Sequence, residues 1–88
     1  MRKRVVVTGL GTVNPVGNDI SSFWDAIKAG TSGIGPITKF DASEYPARIA
    51  GEVKDFDPRE YMDRRDARKM DVFSQFSVAA ALQSMQDA

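Results

Sequence analysis

Cysteine and histidine are both missing from this chain of 88 residues. Their absence rules out, within the segment, disulfide staples, a thiolate nucleophile, an imidazole acid–base group and the usual thiolate or imidazole ligands of zinc. An excess of charge is lacking too, because twelve Lys and Arg offset twelve Asp and Glu. No global field draws the chain to nucleic acid or a membrane, so electrostatic recognition has to be local. Long apolar runs are also absent. Val5, Val6 and Val7 follow the basic start Met1-Arg2-Lys3-Arg4 but stop at Thr8-Gly9, too short for the apolar region of a signal peptide, and no stretch approaches a membrane span. The default location is cytoplasmic, and without cysteine the thiol usage says nothing about redox compartment.

What is present is the composition of a packed protein, 42% hydrophobic and 27% charged, away from the low-hydrophobicity, high-charge corner where chains stay disordered. A free-standing domain of this size buries only roughly 60 to 65% of its unfolded surface and is marginal without staples. The expectation is the opening piece of something larger.

Residues 5–30, VVVTGLGTVNPVGNDISSFWDAIKAG, open in the α/β style. Three consecutive β-branched valines make both faces of the segment apolar, which suits a central strand of a parallel sheet. Gly9 and Gly11 release the backbone, Pro15 and Gly17 continue the turn, and Asn18 or Asp19 caps a helix with Ile20, Phe23, Trp24 and Ile27 on one face. Lys28 and then Gly30 close it. A glycine loop ahead of a helix invites a phosphate. The spacing argues otherwise: Gly9-x-Gly11-x-x-Asn14 lacks the third glycine of a dinucleotide fingerprint, and the helix begins too late. A structural turn bringing the backbone close to a neighbouring element is the better reading.

Gly33, Gly35, Pro36 and Pro46 make residues 31–47 mostly loop. A short strand is expected around Arg48 to Val53, and Pro46 and Gly51 demote it to an edge or a hairpin arm. Asp57-Pro58-Arg59-Glu60 signals a helix start, with Asp57 as cap, Pro58 in first position and Glu60 reaching back. Residues 72–88 are apolar on most sides, through Phe73, Phe76, Val78, Ala79, Ala80, Ala81, Leu82 and Met85, the pattern of a helix buried in a large core. The Phe73 and Phe76 pair is expected to pack, and the alanines to let other elements approach. The final Gln86-Asp87-Ala88 carries no Gly or Asn cap and sets an acid where the helix dipole disfavours one, which suggests a chain cut short.

From Asp63 to Asp71, charge is dense in both signs. At about 100° per residue with Arg65 as zero, Lys69 lies near roughly 40°, Arg68 near roughly −60° and Arg64 near roughly −100°, while Asp66 and Asp63 fall past about 100°. One face is therefore cationic. The pairs Glu60 with Arg64, Asp66 with Lys69 and Arg68 with Asp71 have helical spacing, which allows a merely solvated face. Each such pair contributes about a few tenths of a kcal/mol, too little to stop a partner from recruiting the cations. Arg65 has no acid three or four positions away and is the best single candidate for intermolecular contact.

The blocks RVVVTGLG, NPVGNDISSFW, AGTSGIGPITKFDASEYPARIAGEVKDFDP and DARKMDVFSQF resemble, in order and without gaps, the amino end of the β-ketoacyl-acyl-carrier-protein synthases, the condensing enzymes with a thiolase-like fold. The block from Phe40 to Phe56 favours the synthase II branch. The resemblance covers the whole chain but only a minor part of the family's length. It implies a layered αβαβα fold of α/β class, with residues 4–11 as the first core strand and 72–88 as a buried helix, residues 1–88 being an incomplete N-terminal part of the synthase domain.

The resemblance also implies a reaction, decarboxylative Claisen condensation of a malonyl-carrier protein with an acyl group held as an enzyme thioester, and a usual homodimer. Family members use a Cys nucleophile and two His, so no catalytic residue falls in this segment, and no cofactor or metal is implied. What maps here is docking of the acidic acyl carrier protein: the matching basic positions are Arg65, Arg68 and Lys69, with Arg64 alongside. Two alternatives stay open, a non-catalytic carrier-protein-binding relative of chain-length-factor type and a ketosynthase domain of a polyketide synthase. A stand-alone structural domain would instead melt cooperatively by itself.

Overall fold

Asp19 begins the first regular element. Its backbone is extended, its carboxylate accepts the N–H of Ser22 at 2.7 Å, and α1 runs Ile20–Ala29 behind it. Gly30 ends the helix with φ 71°, in the left-handed region where glycine carries no Cβ penalty. The computed structural model describes residues 2–88. After α1 come β1 (Ile34–Pro36), β2 (Ile49–Gly51), a 3-10 turn at Pro58–Glu60, α2 (Arg64–Arg68) and α3 (Val72–Asp87).

Strands β1 and β2 pair antiparallel, Gly35 opposite Ala50 and Pro36 opposite Ile49, so part of the expected loop is a strand and β2 is the hairpin arm expected of it. The Ile37 N–H donates to the Arg48 carbonyl at 3.0 Å. Antiparallel alternation then leaves Pro36 where its missing N–H faces away from the ladder. Beyond β1, the Glu52 carboxylate accepts the Thr38 hydroxyl at 2.8 Å and the N–H groups of Thr38 and Lys39. Lys54 gathers the surrounding loops: its ammonium donates to the carbonyls of Pro15, Gly33 and Glu52 at 3.2–3.3 Å.

The glycine segment behaves as a close-approach element. It runs antiparallel to α3, backbone on backbone: a Cβ on Gly9 would collide with the Ser84 carbonyl, and one on Gly11 with the Ala80 carbonyl and with Gln83 Cβ, 2.7 Å away. Hydrogen bonds fix the register, from Leu10 N–H to Asp87 Oδ2 at 2.9 Å and from Thr12 N–H to Gln83 Oε1 at 3.0 Å. Asn14 and Gly17 exchange backbone hydrogen bonds across the following turn, and Asn14 Oδ1 accepts Val16 N–H. With the glycines against α3 and the Asp19 carboxylate on the first turn of α1, no phosphate cradle forms, because an anion would meet a fixed negative charge.

Two expectations need correction. Residues 4–11 form no strand, and Val5, Val6 and Val7 are 93%, 68% and 77% exposed; a parallel strand needs neighbours on both edges, and the two short strands present pair with each other. The run from Asp57 through Asp71 is not one helix. It breaks into the 3-10 turn and the five-residue α2, and Asp71, extended at ψ 159°, separates α2 from α3.

Helix α3 spans the expected residues, but of its side chains only Ala79 is fully covered, while Phe73 is 70% exposed. Phe76 does pack: its ring meets Phe56 edge-on at 4.9 Å, and Phe56 stacks on Tyr61. Among the described residues, the buried hydrophobic ones are all alanines, Ala42, Ala67 and Ala79. The radius of gyration is 16.1 Å, against about 12 Å for a closed globule of this length.

Candidate functional site

The charged stretch begins at a tight local clasp. Asp57 is extended, Pro58 supplies the first position of the 3-10 turn, and Asp57 Oδ1 accepts both the backbone N–H of Arg59 at 3.0 Å and its Nε at 3.1 Å. The Arg59 terminal nitrogen reaches Oδ2 at 3.3 Å. This clasp holds the Asp57 carboxyl below the usual carboxylate range and pushes the Arg59 guanidinium up. Glu60 does not reach back as a capping box; its own N–H donates to the Asp57 carbonyl.

Helix α2 carries Arg64, Arg65 and Arg68, and Lys69 is its C-cap, with all four side chains exposed. Two features seat this short helix: its own Ala67 is buried, and Gln75 of α3 donates through Nε2 to the Ala67 carbonyl at 2.9 Å. A helix of five residues has little stability of its own, so the 3-10 turn packed against it and the Gln75 hydrogen bond from α3 hold these cations in place.

The helical-spacing ion pairs do not form. Among the described residues, the ion pairs are Asp25 with Lys28 and Asp57 with Arg59, which leaves Arg64, Arg65, Arg68 and Lys69 without an internal carboxylate partner. The structure also divides them. Arg64 and Arg68 line a shallow, wide-open depression of about 320 Å³ together with Arg59, Asp57, Pro58, Ala67 and Gln75, and Arg65 and Lys69 are outside that lining. Sequence reasoning had Arg59 only as part of a helix start and Gln75 not at all. Their roles depend on contacts between separate elements, for which the sequence carried no periodic signal. The arrangement supplies an exposed cationic surface with a shallow depression beside it.

Comparison with known proteins bears on what that surface belongs to. The family model described as "Beta-ketoacyl synthase, N-terminal domain" matches residues 2–88. This chain belongs to the β-ketoacyl synthase family. Among curated relatives, proteins named 3-oxoacyl-[acyl-carrier-protein] synthase 2 from Synechocystis sp. and Coxiella burnetii are 51% and 52% identical over 99% of the chain. The same name is carried by a relative from Vibrio harveyi, also 52% identical. The chain spans 21% of the length of each. Among solved structures, the ishigamide ketosynthase/chain length factor superposes over the whole chain with a TM-score of 0.91 at 35% identity, the chain covering 22% of it. The β-ketoacyl synthase segment thus keeps the ketosynthase backbone over its full extent. No helix of the described residues is long and apolar enough to cross a membrane.

Proposed function

We propose that this chain is the amino-terminal part of a 3-oxoacyl-[acyl-carrier-protein] synthase of the second type, a cytoplasmic homodimer with the layered αβαβα architecture of thiolase-like enzymes. The supporting observation is identity of about half over nearly every position to relatives bearing that name. In the whole enzyme, a cysteine thiolate takes the acyl group from its carrier as a thioester. Malonyl-carrier protein then loses carbon dioxide, and the resulting enolate attacks that thioester to give a 3-oxoacyl chain two carbons longer. Imidazoles stabilise the developing negative charge. This segment holds neither residue type, so its share is scaffold and docking. On this reading the exposed valines at 5–7 are covered by the remainder of the synthase.

Docking falls to Arg65, Arg68 and Lys69, with Arg64 beside them. Cations without internal counterions steer an acidic carrier protein and orient the arm that bears the substrate. The intact enzyme, given acyl-carrier and malonyl-carrier protein, is expected to release carbon dioxide and form the two-carbon-longer 3-oxoacyl product. Binding of carrier protein without carbon dioxide release would instead assign a relative of chain-length-factor type. Arg65→Glu is expected to raise KM for carrier-bound substrate about tenfold, a cost of about 1.4 kcal/mol, while a small acyl thioester still reacts. Equal losses with both substrates would refute docking.

A further inference from the structure

A joint at Lys69, Met70 and Asp71 separates α2 from α3, and neither helix start is held by its own cap side chain: Asp63 and Asp71 stand at the N-cap positions without accepting a backbone N–H there. One residue of α3 spans this joint. The backbone N–H of Gln75 donates to the Asp71 carbonyl at 3.0 Å, and its side chain reaches back through Nε2 to the Ala67 carbonyl at 2.9 Å, in partly buried surroundings. That carbonyl belongs to the carboxyl end of α2, where a helix leaves its acceptors unpaired, and it also receives the Met70 N–H at 3.2 Å. Among the described residues, no other hydrogen bond joins α3 to α2.

The joint bears on where the cations stand before a partner arrives. Arg64, Arg65 and Arg68 lie on α2 and Lys69 is its C-cap, so their mutual spacing lasts only while those residues stay helical, and a helix this short is not stable unaided. The 3-10 turn touches both helices, and Gln75 fixes the carboxyl end of α2 directly, beside Arg68 and Lys69. Charges ordered in advance lose less freedom on binding than charges on a mobile loop, and the difference appears as affinity. We propose that Gln75 is a positioning residue for recognition of the carrier protein: through the Ala67 carbonyl it keeps the α2 cations in their helical arrangement without itself touching the partner. The inference rests on the docking proposed above and adds to it an uncharged residue on a different helix.

The test uses the intact synthase. kcat and KM are measured for one acyl group presented on the carrier protein and on a small pantetheine thioester, at low and high salt, and amide hydrogen exchange is followed across residues 67–70. Gln75→Leu keeps most of the side-chain bulk and removes the donor; Gln75 is half-buried and leucine is a strong helix former, so α3 persists in the variant. It is expected to raise KM for carrier-bound substrate about fivefold, to leave kcat and the reaction of the small thioester at wild-type values, and to speed exchange of the Met70 amide about tenfold. The salt dependence of KM should match the wild type, because no charge has changed, whereas Arg65→Glu should alter it. Gly11→Ala, which disturbs α3 at Ala80 and Ser84 and leaves α2 alone, should lose stability yet keep the wild-type preference between the two substrates.

If Arg65→Glu raises KM for carrier-bound substrate and Gln75→Leu does not, docking stands and the role of Gln75 is refuted. Should neither variant alter that KM, the docking reading fails and the positioning role falls with it. Equal losses on both substrates after Gln75→Leu, or a carrier-specific loss of the same size after Gly11→Ala, would assign Gln75 to general stability and overturn the proposal. Unchanged exchange at Met70 in Gln75→Leu would overturn it as well, since α2 would then keep its shape without the amide.

Discussion

Gln83 accepts the backbone N–H of Thr12 at 3.0 Å across 71 positions of sequence. The other end of the same amide donates to the Asn18 carbonyl at 2.6 Å and to the Tyr61 hydroxyl at 3.0 Å. One side chain of α3 thereby joins the glycine segment, the approach to α1 and the residue that follows the 3-10 turn.

Gln83→Ala strands partly buried groups on three elements and is expected to cost about 2 kcal/mol in urea denaturation of the intact protein. Gln83→Glu is the sharper probe. It can still accept from Thr12 but cannot donate, and it sets a negative charge against the Asn18 carbonyl, so it should cost at least as much as the alanine. A glutamate variant as stable as the wild type would show that the amide's donor end contributes nothing.

The glycine segment makes its own prediction. Gly11→Ala places a methyl against the Ala80 carbonyl and 2.9 Å from Ser84 N, where backbone cannot yield as a flexible side chain would. The expected loss is about 1 to 3 kcal/mol. Gly35→Ala, with open space around the added atom, should stay within about 0.5 kcal/mol of the wild type. Equal effects at the two sites would contradict the packing of this segment on α3.

Glu52 links the end of β2 to the residues after β1, and the Thr38 hydroxyl, with help from backbone N–H groups, holds its carboxyl below the ordinary value. A depressed folded-state pKa means the unfolded chain binds the proton more readily. The stabilisation is therefore complete above the ordinary glutamate value of about 4.3 and is lost as pH falls through the lower folded value. Protection of the Thr38 amide against hydrogen exchange should drop in that acidic window and be independent of pH above it. Glu52→Gln should remove the pH dependence.

Residues 1–88 taken alone are expected to melt without a cooperative transition by calorimetry. The buried residues are small alanines, and the two paired strands are too short to make an independent sheet. A sharp, two-state melt of the isolated segment would overturn the view that its apolar surfaces need further partners.

Local signals were legible where the cause is local. Asp19 and Gly30 bracket α1 because a carboxylate N-cap and a left-handed C-cap act on the few residues beside them. Asp57 and Pro58 start a helical turn for the same reason. The valines at 5–7 were read as a strand from their branching, yet ladder hydrogen bonds require neighbours that a propensity does not supply. On α2, the sequence placed the cations on one side of a helix. It also suggested ion pairs that do not form, and for Arg68 with Asp71 the break between α2 and α3 is the reason, since the two no longer share a helix.

By itself, then, the amino-acid order determined the ends of α1, the close-approach role of Gly9 and Gly11 and the resemblance that the family match bore out. Tertiary structure alone decided that Gln75 seats α2, that Gln83 joins three separate segments, and that Arg59 stands beside Arg64 and Arg68 around one shallow depression. Caps and backbone strain act over a few bonds and are written in neighbouring residues. Contacts between separate elements depend on how those elements pack, which no single stretch of sequence encodes.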